Sequence, residues 1–309
     1  MKKIFALVLA AALIFTGCGD NSTAITDSDS FAVIQDDAGR EVTLAEKPAR
    51  IAVTSASFLE PLHELGANIV GRPDSKNNTP DWAKDISSVG QVYQIDVERL
   101  LACQPDLVIV NKGMNERLLN VLAENKIPAL VTEMKTYAEV QHTLRNFAQV
   151  TSSIDTAEQL IDQMDDDIQG VIASIPHEKK RVAILHSTAQ GLSVQLEGSI
   201  AGCIVEMLGW ENVAAGMTPL ENNPDAAPYS METLAAQNPE IIFVTSMGNA
   251  DEIEKNMREA IETNDAWQAI GAVKNNQLYY LPQNLFLLSP GLNYPAAVEY
   301  VAKLIYPAS

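Results

Sequence analysis

Positive charge is scarce in this chain: 21 Lys and Arg stand against 40 Asp and Glu, a formal net charge of −19 over 309 residues. A surface this acidic repels phosphate backbones and anionic membrane faces, which excludes nucleic acid as a partner. Histidine occurs only four times, and His63, His142 and His177 fall on helical or connector patterns that read as solvated. A site for bare zinc or manganese needs several imidazoles and carboxylates converging on one point, which this scatter does not provide. Two of the three cysteines, Cys103 and Cys203, sit inside apolar helical patterns and read as buried free thiols. No Gly-rich phosphate loop or paired-acid constellation occurs, and "GLSVQ" at 191–195 lacks the last glycine of a nucleophile elbow. These absences argue against an enzyme. Long apolar runs are also missing, apart from "IFALVLAAALIFTG", whose 14 residues are too few to span a bilayer comfortably.

That run follows the basic "MKK" and ends at "FTGC", the pattern of a bacterial lipoprotein signal. Residues 1–17 are expected to be removed and Cys18 acylated on its sulfur. The polar stretch to residue 30 then serves as a tether. This places the protein in the cell envelope, on the outer face of the cytoplasmic membrane or in a periplasm. Cleavage leaves 292 residues and, with Lys2 and Lys3 gone, takes the charge from −19 to −21. That length suits two lobes better than one core.

From 31 to 136 the pattern alternates. "IAVTS", "ANIVGRP", "DLVIV" and "PALVTE" read as strands, and "SFLEPLHELG", "DVERLLACQ" and "NERLLNVLAENKI" as helices. Strands separated by single helices imply a parallel, doubly wound sheet. From 137 to 175 no strand signal appears, and a helical stripe after "TSSID" runs about five turns until Pro176. From 176 to 309 the alternation resumes with "RVAILHS", "GSIAGCIVEMLGW", "METLAAQ", "EIIFVTS", "DAWQAIGAV" and "QLYYLP", closing on the amphipathic "NYPAAVEYVAKLIYP". The expected architecture is α/β: two doubly wound lobes connected by a single long α-helix, with a ligand cleft between them.

"DVERLLACQPDLVIV" (96–110) and "SMETLAAQNPEIIFV" (230–244) repeat one pattern in the two lobes. Each has a cap (Asp96, Ser230), a glutamate two residues later (Glu98, Glu232), a proline seven residues further on, an acid and a buried strand. Taken singly, each glutamate is an acid offsetting a helix dipole, worth about 0.3–1 kcal/mol. Taken as a matched pair, they suit a two-point contact with a symmetric basic partner.

With "GREVTLAEKPARIAV", "LGANIVG", "LGWENVAAG" and "NDAWQAIGAVKNNQLYYL", these repeats resemble the substrate-binding lipoproteins of ABC importers for iron chelates, haem and cobalamin. The resemblance runs from about Phe31 to the C-terminus. It implies a monomeric receptor without an intrinsic cofactor, whose Glu98 and Glu232 dock onto a permease dimer served by ATPase subunits. The transported ligand would be haem, a ferric siderophore or a corrinoid. A surface haem relay working without a permease is the competing reading, and the paired glutamates argue against it.

In open α/β sheets ligands bind beyond the carboxyl ends of the strands. That rule points to Ser55, Ser57, Phe58, Arg72, Tyr93, Lys112 and Met114 in the first lobe, and to His186, Met247, Asn284 and Leu285 in the second. Arg72 and Lys112 are expected to meet ligand carboxylates, and Phe58, Tyr93 and Met247 to give apolar contact. Within the family the sequence is most similar to haem receptors of Gram-positive uptake systems, which hold iron between a methionine and a histidine. Those positions fall on Tyr93 and Met247 here. Neither residue type is kept, yet a phenolate and a thioether both ligate haem iron.

Overall fold

The computed structural model describes residues 30–75, 78–188 and 191–307. The signal segment 1–17, Cys18 and nearly all of the tether therefore lie outside the described residues. A hairpin of β1 (Ala32–Gln35) and β2 (Glu41–Leu44) opens the fold. There follow β3 (Ile51–Val53), α1 (Leu59–Glu64), β4 (Ile69–Asp74), β5 (Ser88–Gln91) and β6 (Gln94–Ile95). Next come α2 (Val97–Ala102), β7 (Leu107–Asn111), α3 (Leu119–Glu124) and β8 (Ala129–Thr132). The first main sheet runs β6-β5-β4-β3-β7-β8, parallel throughout except for the β5–β6 hairpin at its edge. A strand buried on both faces reads as an unbroken apolar run, and "LVIV" of β7 is one: Leu107 and Ile109 face one core, Val108 and Val110 the other.

Two antiparallel helices follow, α4 (Tyr137–Thr151) and α5 (Ile154–Ser174). A capping box starts α4: Thr136 Oγ1 accepts from the Glu139 amide (3.3 Å) and Glu139 Oε2 from the Thr136 amide (2.8 Å). Ser152, left-handed at φ 59°, ends it and turns the chain into α5. With 21 residues, α5 is the long connecting helix the stripe implied, roughly 31 Å at 1.5 Å per residue.

The second lobe holds β9 (Arg181–Thr188), β10 (Gly191–Gln195), α6 (Ile200–Met207), β11 (Glu211–Asn212), β12 (Ala226–Pro228), α7 (Met231–Gln237) and β13 (Ile241–Ser246). It continues with α8 (Ala250–Thr263), α9 (Asp265–Ala269), α10 (Gly271–Lys274), β14 (Leu278–Tyr280), α11 (Gln283–Phe286) and α12 (Tyr294–Ile305). The sheet order is β12-β10-β9-β13-β14, with β11 also paired to β9. This sheet is mostly parallel, with one antiparallel strand inside it. β9, β13, β14 and β11 are parallel, but β10 is antiparallel to both β9 and β12, because β9 returns directly into β10 with no helix between them.

The faces of the two sheets turned toward the helices share one apolar core. Ile51, Val53 and Ile109 from the first lobe join Val182, Ile184 and Phe243 from the second through Phe147, Ile161 and Val298. The outer faces have separate cores. Among the described residues no helix is long and apolar enough to cross a membrane.

Candidate functional site

The two repeats are structural twins. Asp96 caps α2 through the Arg99 amide (3.1 Å), and Ser230 caps α7 through the Thr233 amide (3.3 Å). Gln104 (φ 48°) and Asn238 (φ 43°) take the left-handed turn before Pro105 and Pro239. The acid after each proline anchors the lobe's central strand at its start. Asp106 accepts from the Ala49 and Arg50 amides (2.8 Å each), and Glu240 from the Arg181 amide (2.9 Å). This fixes α2 and α7 in equivalent places and leaves Glu98 and Glu232 exposed in their first turns. A hydrogen bond to its own backbone amide and one from Ser230 Oγ (2.9 Å) hold the Glu232 carboxyl below the usual range.

At the carboxyl ends of the strands, a cleft of about 480 Å³ joins the lobes. Ser57 and Glu60 form its first-lobe wall with the loop at Asn78 and Thr79, while Asn284, Leu285 and Asn293 face them. Ser57 Oγ donates across the cleft to the Ser289 carbonyl (3.1 Å). A second hollow of about 310 Å³ lies beyond β9 and β13, lined by Ser187, Thr188, Met247, Asn249 and Glu252. Three large apolar side chains stand in water on strand-end loops: Tyr93 is 63 % exposed, Met114 45 % and Met247 50 %. Asn115, wholly buried, holds the Tyr93 turn from beneath by donating to the Val92 carbonyl (2.8 Å), and Arg117 donates to the Tyr93 carbonyl (2.9 Å).

Of the expected ligand residues, Ser57, Asn284 and Leu285 line the inter-lobe cleft, and Met247 lines the hollow beside it. Others are placed differently. Phe58 is 1 % exposed and packs edge-on against Phe147 (centroids 6.0 Å apart), so it belongs to the core. Ser55 is buried and accepts from the Ser57 amide (3.3 Å), as a cap. Arg72 does not reach for a ligand carboxylate. Its guanidinium donates to the Ala83 (2.8 Å), Lys84 (3.0 Å) and Pro73 (3.2 Å) carbonyls, closing the loop after β4. Lys112 is paired with Glu133 (2.7 Å), which holds its ammonium above the ordinary lysine value. His186 lies on the face of β9 shared with Val182 and Ile184, its Nδ1 2.9 Å from Thr245 Oγ1, and it lines neither cavity. Burial pushes its imidazole below the usual value, toward the neutral form.

Glu60 escaped the sequence reading. It sits inside "SFLEPLHELG", where an acid on an amphipathic helix looks like ordinary solvated surface. Its partner Trp82 is 22 residues away, with the indole N–H donating to Glu60 Oε1 (3.1 Å). Glu133, in the loop after β8, was missed too, because its partner Lys112 is 21 residues away. It takes Lys112 on one carboxylate oxygen and Lys135 on the other (2.6 Å), and Lys135 continues to Asp225 in the second lobe. Burial works to raise the Glu133 carboxyl, but the two ammonium groups outweigh it and hold it low.

The Fe(3+)-citrate-binding protein YfmC of Bacillus subtilis is 27 % identical over 292 residues, covering 89 % of this chain and 87 % of that protein. A crystal structure of an ABC transporter substrate-binding protein from Listeria monocytogenes, 27 % identical, superposes with a TM-score of 0.75 over 85 % of this chain and all of that one. The heme complex of IsdE from Staphylococcus aureus, 23 % identical, shares the fold with a TM-score of 0.72 over 83 % of this chain and 98 % of its own. The model of the periplasmic binding protein family matches residues 51–285, a span that takes in both main sheets, the connecting helices and both glutamate-bearing turns, and the chain belongs to that family.

Proposed function

We propose that the protein is the lipid-anchored receptor of an ABC importer, monomeric and outside the cytoplasm, capturing an iron-containing chelate in the cleft and delivering it to the permease. One observation carries this reading: Tyr93 and Met114 stand exposed on strand-end loops of the first lobe, and Met247 on one of the second, where it lines the second hollow. Large apolar side chains left in water at strand ends mark a contact surface for a ligand that is itself partly apolar. The relatives named for ferric citrate and heme support iron in the cargo. If the cargo is haem, Tyr93 and Met247 supply residue types able to ligate its iron.

The chain's part in transport is binding and presentation, while ATP hydrolysis belongs to a partner subunit. The cargo is gripped between the strand ends, with α5 and the shared core keeping closure small. The complex then docks through Glu98 and Glu232, one from each lobe. Cys18 holds the receptor near its permease.

The test is titration of the full chain in detergent with ferric haem, ferric citrate, ferric hydroxamate and ferric catecholate chelates and cyanocobalamin, read by tryptophan quenching and, for haem, by the Soret band. Saturable one-to-one binding of at least one iron chelate is expected. Binding of cobalamin alone, or of nothing, overturns the iron assignment.

A further inference from the structure

Glu60 is the one charged residue lining the inter-lobe cleft among the described residues; its neighbours there are uncharged, serine, threonine and asparagine side chains alternating with alanine, proline and leucine. It is held in place. Trp82 donates its indole N–H to Glu60 Oε1 (3.1 Å) and is itself clamped face to face by the His63 ring (centroids 4.0 Å apart, planes at 15°). The opposite carboxylate oxygen has no protein partner among the described residues, so the wall offers a fixed, unfilled acceptor to whatever enters.

Among the described residues, three cations at the strand ends of the first lobe are already engaged. Arg72 is bound to three backbone carbonyls, and Lys112 and Lys135 are neutralised by Glu133 and Asp225. In the second-lobe hollow the charged lining residue is again an acid, Glu252. The whole chain carries a net charge of −19, a field that draws cations and repels anions before contact.

We propose that Glu60, oriented by Trp82, is the charge-selecting residue of the cleft, and that the cargo is an uncharged or cationic iron chelate of the hydroxamate type that presents an N–H or ammonium group to it. Polycarboxylate, catecholate and propionate-bearing chelates are selected against. The inference rests on the iron-chelate reading above and narrows it. Tyr93 and Met247 then act as apolar contacts for the chelate's methylene chains.

The experiment is a rank order of affinities on the full chain in detergent, comparing ferric desferrioxamine B, whose free ammonium arm leaves the complex cationic, with ferric citrate, a ferric catecholate and ferric haem. Desferrioxamine is expected to bind at least about tenfold tighter than any of the anions, a difference of about 1.4 kcal/mol. Glu60→Gln should weaken it about tenfold and strengthen ferric citrate. Trp82→Phe, which keeps the ring stack but removes the N–H, should produce a smaller shift in the same directions. A receptor that binds ferric citrate or haem tightest, or whose rank order Glu60→Gln leaves unmoved, overturns charge selection while the iron-receptor reading survives. Failure of every chelate to bind overturns both.

Discussion

Lys135 Nζ lies 2.5 Å from Asp225 Oδ2, so an ammonium just before α4 meets a carboxylate just before β12 and ties the two lobes together beside the cleft. The same ammonium is 2.6 Å from Glu133, and the Lys135 carbonyl accepts from the Tyr294 hydroxyl (3.3 Å). The pair is neither fully exposed nor fully buried, so its worth lies between those limits. Lys135→Met is expected to cost about 1–2 kcal/mol in urea unfolding, and to raise the radius of gyration of the empty receptor in small-angle scattering. Unchanged dimensions would show that the shared core alone sets the lobe angle.

The pH dependence of this cluster has a definite sign. Glu133 is held below its ordinary value of 4.5, so its contribution is complete above that value and is lost as pH falls through the lower, folded-state value. Lys112 and Lys135 are held above 10.5, so theirs is complete below that value and lost as pH rises through the raised ones. Asp37 works the other way: burial raises its carboxyl above 3.8, and ionising it costs stability as pH rises. Melting temperatures should therefore fall below pH 4.5, and Glu133→Gln should flatten that acid limb. An identical acid limb in the variant would remove Glu133 from the account.

Gly90 is where a single methyl group should disturb the cleft. At φ 96° it lies in backbone space that other residues rarely enter, and a Cβ there would meet the Gln94 carbonyl at 2.8 Å. Gly90→Ala is expected to cost about 1–3 kcal/mol and to weaken chelate binding, since the strain falls on the hairpin that presents Tyr93. Loss of stability with unchanged affinity would take Tyr93 out of the contact surface.

The matched glutamates make a prediction about transport rather than binding. The Glu98→Ala/Glu232→Ala double variant should keep its affinity for the chelate while iron uptake by cells falls at least about tenfold. Normal uptake would mean the two acids only offset their helix dipoles.

What was legible in the sequence followed from strong periodicity and punctuation. The double-sided apolar run of β7, the five-turn stripe of α5 and the proline-ended repeats gave strands, connector and symmetry near their observed places. The helix α8 was not seen, because among its described side chains Met257 alone is fully buried, between the half-buried Ile253 and Ile261. The short strands β5, β6, β11 and β12 owe their existence to neighbours rather than to their own residues. At the site, position after a strand correctly marked an end of the sheet. It could not say which way a side chain turns: Phe58 and Ser55 turn inward, while Arg72 and Lys112 bend back onto nearby carbonyls and a carboxylate. Glu60 depends on an indole 22 residues off, a contact that no local pattern encodes.

The apolar core shared by both sheets has a consequence for how the molecule can be taken apart. A polypeptide severed at the α4–α5 bend would leave Phe147 on one fragment and Ile161, Val298 and Phe243 on the other, each presenting to water the surface meant for its counterpart. Neither fragment would stand as an autonomous unit, and the halves should regain their shape only when mixed. The receptor thus behaves as one block scored by a groove, and melting it should remove the groove and both glutamate-bearing turns in a single transition.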